Sequence, residues 1–300
     1  MTTRFDRRKF LQLLTAFPLA LRGHGHALEG AVGCAEIVPL DDSSPPLGPA
    51  PVEWHLRDDF LYFEELYERT EALRAHSIEV RSLDLLIEPL RPGLVAVVSV
   101  PDGFESVVAS KTALRLAREG GGSVVMVSVE AVPKDAAFSL IAAASASELT
   151  NPGLIELRDF PRLAQIAGEI IDLSNLFIKS LACGVPPARN AAISLAPPEG
   201  APRLRTVVVD SLEALCVELW RCGYPKRPDI AICYLREVAM TLGVAVLALA
   251  PTRTTEKPTN SAAACACADI VAVAVPIRSG GSSENAACSM LEITRTPRWT

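Results

Sequence analysis

The stretch Pro101-Asp102-Gly103-Phe104-Glu105-Ser106-Val107-Val108-Ala109-Ser110-Lys111-Thr112 follows the apolar-rich run 95–100. A loop that holds phosphates needs glycines, so that backbone N–H groups can curl around the oxygens. It also needs a lysine for the outer phosphates and a Ser/Thr hydroxyl for Mg²⁺ where a helix opens. Gly103, Ser110, Lys111 and Thr112 are the candidates, and Lys111 is one of only six lysines in the chain. The glycine frame departs from that pattern. Gly103 lies eight positions before Lys111 instead of six, and Ser110 stands where the second glycine belongs. Two acids follow later apolar runs. Glu130 comes after Ser128-Val129, where a carboxylate could polarise a water attacking a γ-phosphate. Asp210 ends Arg205-Thr206-Val207-Val208-Val209, where a carboxylate could hold the Mg²⁺ shell.

These residues need a scaffold that brings strand ends together. Continuous apolar runs predict strands at 95–100, 123–129, 205–209, 244–250, 269–275 and 289–295, with shorter candidates at 154–157 and 191–195. Helical spacing predicts helices at 110–119, 133–147, 162–181 and 228–242, with Gly120 and Gly243 as stops. Buried strands alternating with helices imply an α/β fold, a mostly parallel central sheet with helices on both faces. Ligands bind such sheets at the carboxyl ends of the strands, just after residues 100, 129, 209 and 250.

Ahead of this domain the chain changes character. Residues 1–30 open with Arg7-Arg8-Lys9-Phe10-Leu11 and a short apolar run, which resembles a twin-arginine export leader. Residues 31–53 read as a proline-rich linker, and 54–76 as an amphipathic linker helix carrying Trp54, Phe60, Leu61, Phe63 and Leu66. The leader's apolar run is too short to span a bilayer, and no transmembrane segment is predicted. Localisation reads as cytoplasmic, with export through the leader as the alternative.

Composition narrows the class. The 300 residues are 49% hydrophobic and 21% charged, which excludes a mainly disordered chain. A net charge of −6 excludes a strongly basic nucleic-acid coat. The eight cysteines form no Cys-x-x-Cys pair and all four histidines lie in the first quarter, so zinc is not expected and the cysteines read as small buried residues.

From about residue 77 to 300 the chain resembles the RecA-fold ATPase domain of the DnaB-type replicative DNA helicases, in divergent form. The resemblance is carried by Leu83-Asp84, Arg91-Pro92-Gly93, Ser110-Lys111-Thr112-Ala113-Leu114, Ser128-Val129-Glu130, Arg236-Glu237-Val238-Ala239 with the strand after it, Lys257-Pro258-Thr259 before Ala268-Asp269-Ile270-Val271, and Leu291-Glu292-Ile293 with Arg295. It implies a RecA-like P-loop NTPase fold that binds ATP and Mg²⁺. Gly103, Ser110, Lys111, Thr112 and Asp210 would hold the cofactor, with Thr112 and Asp210 on the metal. Glu130 would be the catalytic acid, and Arg295 or Arg298 a finger reaching a neighbour's nucleotide. It further implies a ring-shaped homo-oligomer joined through helix 54–76, DNA as a weak partner and a role in DNA replication.

The sequence also departs from that family. The polar sensor after the fourth strand is Ala250-Pro251, which offers no side-chain donor. The DNA-facing loop, 259–264, is Thr-Asn-Ser-Ala-Ala-Ala, and the finger motif reads Arg295-Thr296-Pro297-Arg298. Three readings follow: an ATP-hydrolysing DNA translocase, a degenerate relative with a structural or regulatory role, and an exported protein that kept the fold without the chemistry. The damaged loop points to turnover orders of magnitude below a working motor.

Overall fold

Val95, Ala96, Val97, Val98 and Val100 are all buried, and the strand they form has sheet neighbours on both sides. It is the centre of a computed structural model that describes residues 49–51, 78–129, 133–145, 160–181, 190, 194–252, 267–278 and 288–295. All of these lie in the unit Pro46–Thr300. The predicted leader and the helix at 54–76 lie outside the described residues.

The described strands are β1 (Ala50–Pro51), β2 (Glu79–Arg81), β3 (Val95–Pro101), β4 (Ser123–Ser128), β5 (Leu176–Ser180), β6 (Leu204–Val209), β7 (Ala245–Thr252), β8 (Ile270–Arg278) and β9 (Cys288–Arg295). The helices are α1 (Asp84–Ile87), α2 (Glu105–Glu119), α3 (Pro133–Ser145), α4 (Phe160–Ile171), α5 (Leu212–Arg221) and α6 (Pro228–Leu242). One sheet runs in the order β1-β5-β4-β6-β7-β3-β8-β9-β2. The six strands from β5 to β8 in that order are parallel. β9 is antiparallel to β8, and β2 is parallel to β9.

Side chains alternate across a strand, so each central strand feeds two cores. Val95, Val97, Val125, Val127, Val207, Val209, Val246 and Ala248 share one cluster with Leu212, Leu215 and Leu219 of α5 and Ile232, Leu235 and Val238 of α6. The alternate residues face the side on which α2 and α3 pack on each other, with α4 against α3. Helices therefore cover both faces, as the alternation of elements predicts.

Local chemistry explains the element boundaries. Pro228 sits in the first turn of α6, and Gly243 ends it in the left-handed conformation at φ 64°. Ser211 caps α5 by accepting the Ala214 N–H. Gly122, at φ 148°, turns the chain into β4 where a Cβ would meet the Arg203 carbonyl oxygen at 2.8 Å.

Four expectations need correction. α2 starts at Glu105, five residues before the predicted 110. The predicted helix 162–181 is a helix to Ile171 and then a strand, because the Leu173 to Asn175 turn frees Leu176, Phe177 and Ile178 to be buried beside β4. Ser194 and Leu195, expected in a strand, are helical. The cysteines are not uniformly buried: Cys216 is, whereas Cys222 and Cys233 are exposed. The strand candidate at 154–157 lies outside the described residues.

Candidate functional site

From β3 the chain crosses to β4, returns through β6 and β7 to the flank of β3, and then places β8 on its other side. That reversal makes the carboxyl end of β3 the switch point where an α/β sheet opens a ligand crevice. The residues at that point are Asp102, Gly103 and Phe104, and α2 begins immediately after them.

This short connection decides what the site can hold. Gly103, at φ 85°, makes the turn, and the Phe104 N–H donates to the Pro101 carbonyl at 3.1 Å. Residues 105–110, which a phosphate loop would leave open, are the first turns of α2. Val107, Val108 and Ala109 are fully buried. Burying these three apolar side chains favours winding the residues into helix over leaving them as a solvated loop.

The start of α2 carries an anion of its own. Glu105 is the first residue of α2, and the backbone N–H groups of Glu105 and Gly103 favour the charged form of its carboxyl. These are the donors a helix N-terminus offers to a phosphate. Burial pushes the Glu105 carboxyl above its ordinary pKa, and the nearby Asp102 and Glu213 push in the same direction. The switch point thus carries the carboxylates of Asp102 and Glu105.

The predicted cofactor residues are dispersed. Lys111 lies six residues inside α2, about 9 Å along the helix from its first residue at the usual rise. It lines a groove of about 530 Å³ with Glu79, Val80 and Leu83 on one side and Leu114, Arg115 and Arg118 along its own helix. Burial pulls the Lys111 ammonium below its ordinary pKa, and Glu79 offsets part of that. Thr112 is fully buried, and its Oγ1 donates to the Val108 carbonyl at 2.7 Å within the same helix. Ser110 is fully buried, and its Oγ has no hydrogen-bond partner among the described residues.

Asp210 does stand at a strand's carboxyl end, as the sequence implies. Its Oδ2 accepts from Ser128 Oγ at 2.7 Å and its Oδ1 from the Val129 N–H at 3.0 Å. The carboxylate therefore ties the end of β6 to the end of β4. Ala250 and Pro251 continue β7, which runs on to Thr252 beside Pro101. Arg295 ends β9. Glu130 and Arg298, the expected catalytic acid and half of the expected finger, lie outside the described residues.

No protein-family model and no curated protein matches the chain. Among solved structures, it is similar to an isolated ATPase domain at 18% identity, covering 73% of this chain and 83% of that one, with a TM-score of 0.49. It is also similar to a DnaB-like replicative helicase solved for its interactions with primase, at 17% identity, covering 69% of this chain, with a TM-score of 0.47. The chain spans 55% of that helicase's length. The fold, by its own topology, is a mostly parallel α/β sheet with helices on both faces.

A RecA-like domain that uses ATP and Mg²⁺ needs an open loop after the first central strand and a free hydroxyl beside the lysine. The residues present do not fit that group. The loop is three residues long, the Thr112 hydroxyl is spent inside α2, and Glu105 puts a carboxylate in the first turn of the helix. Sequence reasoning missed Ser128 and Glu105. Ser128 ends β4 and Glu105 opens α2, and a carboxylate two residues after the only glycine of the β3–α2 connection was the readable signal for Glu105.

Proposed function

We propose that this chain is a RecA-like domain whose nucleotide crevice is closed by its own second helix, and that it serves as a structural or regulatory domain without turning over ATP. The observation that carries this reading is the three-residue turn between β3 and α2, after which Val107, Val108 and Ala109 are already buried within the helix. A triphosphate would have to unwind about two turns of α2 and expose Val107, Val108 and Ala109. It would also approach Asp102, Glu105 and Glu213, which repel a polyanion.

The competing reading is a helicase-type ATPase in which Lys111, Thr112, Glu130 and Asp210 act together. Titration of the full chain with a fluorescent ATP analogue, with and without Mg²⁺, separates the two. No saturable signal is expected at millimolar nucleotide, and Lys111→Ala should change nothing. Saturable Mg²⁺-dependent binding lost in Lys111→Ala, with turnover near the ~10 s⁻¹ typical of enzymes, would restore the motor.

A further inference from the structure

Every residue from Trp220 to Pro228, where α5 gives way to α6, is exposed. Trp220 is 58% exposed and Tyr224 43%, so two large aromatic rings stand in solvent on one short turn. The turn itself is tightly built. The Tyr224 N–H donates to the Leu219 carbonyl at 3.0 Å and the Gly223 N–H to the Trp220 carbonyl at 2.9 Å, the pair of bonds that ends a helix on a left-handed glycine. Gly223 has φ 92°. The Arg227 N–H then donates to the Pro225 carbonyl at 2.8 Å, and Pro225 and Pro228 restrict their own φ. The rings are therefore carried on backbone that is already ordered, and little entropy remains to be lost when they are covered.

The charges on this turn are arranged with the cations outermost. Arg221, Lys226 and Arg227 lie within it, and no acid does. Arg221 pairs with Glu218 and Arg227 with Asp229, but the two acids sit behind the arginines. The side chains are 64% exposed for Arg221 against 11% for Glu218, and 65% for Arg227 against 19% for Asp229. Lys226 forms no ion pair among the described residues. On a chain of net charge −6 the turn is a local reversal of sign, and the surface it presents to solvent is cationic and aromatic.

Tryptophan and tyrosine have an apolar body and a polar tip, which suits the boundary between lipid headgroups and acyl chains. Lysine and arginine beside them meet the phosphates and carboxylates of an anionic leaflet. We infer that the α5–α6 turn is a docking tip for an anionic lipid surface, with Trp220 and Tyr224 entering the headgroup region and Arg221, Lys226 and Arg227 meeting the lipid anions. A single strand of nucleic acid also takes cations and aromatics, but it needs a basic groove that tracks its backbone. A run of nine exposed residues projects instead of forming a groove, and so favours the lipid surface. Attachment here is peripheral and does not depend on whether the crevice after β3 holds a nucleotide.

The test sediments the full-length chain with vesicles of phosphatidylcholine mixed with phosphatidylserine, and with vesicles of phosphatidylcholine alone. Binding should be on the order of tenfold stronger to the anionic vesicles and should weaken with salt, since Lys226 acts in full while the arginines share their charge with Glu218 and Asp229. Lys226→Gln should weaken it about fivefold. The double change Trp220→Ala and Tyr224→Ala should weaken it at least about tenfold, with a circular dichroism spectrum like that of the wild type. A chain with Trp54→Phe and Trp299→Phe keeps Trp220 as its one tryptophan, and its emission should move to the blue and be quenched by brominated lipid. Absence of binding to the anionic vesicles overturns the inference. So does binding that these variants leave intact or that leaves the Trp220 emission unmoved, because another segment then makes the contact. Tighter binding of a single-stranded oligonucleotide than of the anionic vesicles at the same salt, lost in the same variants, would also overturn it.

Discussion

Replacing Asp210 by alanine should loosen the junction between β4 and β6, and the size of the effect can be worked from its two bonds. One carboxylate oxygen accepts from Ser128 Oγ at 2.7 Å and the other from the Val129 N–H at 3.0 Å. Ser128 is fully buried, so its hydroxyl has no solvent to turn to. A hydrogen bond to a charged group contributes about 1.5–3 kcal/mol, and an orphaned buried donor costs about 1–3 kcal/mol. The two donors belong to adjacent residues and can relax together, so their losses are not additive. A total of about 3 kcal/mol is the expectation, or a fall in Tm of about 6–12 °C for a domain of this size. Asp210→Asn keeps one acceptor oxygen and should lose about half as much. Thermal and urea unfolding followed by circular dichroism, with and without Mg²⁺ and ATP, is the assay. A metal-ligand role predicts a different outcome: little change without nucleotide, and loss of a nucleotide-dependent gain. Asp210→Ala protein as stable as the wild type would refute the structural role assigned to this carboxylate.

Lys111 gives a pH signature. Its ammonium is pulled below the ordinary lysine value by burial, so as pH rises the folded chain releases this proton before the unfolded chain does. Stability should therefore rise with pH between the depressed folded value and the unfolded ~10.4, and Lys111→Met should flatten that rise. Urea unfolding at neutral pH and at pH ~10 measures it, and parallel curves for the two proteins would count against burial as the cause. Gly122→Ala should cost about 1–3 kcal/mol, since φ is 148° and the new Cβ would meet the Arg203 carbonyl oxygen at 2.8 Å. An unchanged thermal midpoint in that variant would contradict the close approach.

The central strands and the bounds of α6 were legible because their signals are local. β3, β6 and β7 are apolar runs too continuous for a surface strand, and Pro228 and Gly243 bracket α6 by their own backbone restrictions. The start of α2 was not legible, because Lys111-Thr112 reads as a helix opening only if the six residues before it stay unwound. The burial of Val107, Val108 and Ala109 decides against that, and burial is a tertiary property. β5 was absorbed into the preceding helix because Ile166, Ile170, Phe177 and Ile178 continue an apolar pattern. What stops the helix is a turn whose Asn175 side chain donates to the carbonyls of Ala117 and Gly122, far away in sequence. Asp210 was placed correctly at a strand end, yet its chemistry is set by Ser128, 82 positions away.

The strand order has a consequence for how the chain assembles during synthesis. β3 pairs only with β7 and β8, whereas β4 finds its partners in β5 and β6. At roughly 5–20 residues per second, the stretch between the end of β3 and the end of β7 takes on the order of ten to thirty seconds to make. Throughout that interval Val95 to Val100 has neither sheet edge satisfied, and its two apolar faces have only α2 available as early cover. Non-local parallel pairing of this kind is slow even in the finished chain. The most buried strand of the domain is therefore left without either sheet partner for much of synthesis, which makes it the segment a nascent-chain chaperone would bind and the place where a stalled or truncated product would begin to aggregate.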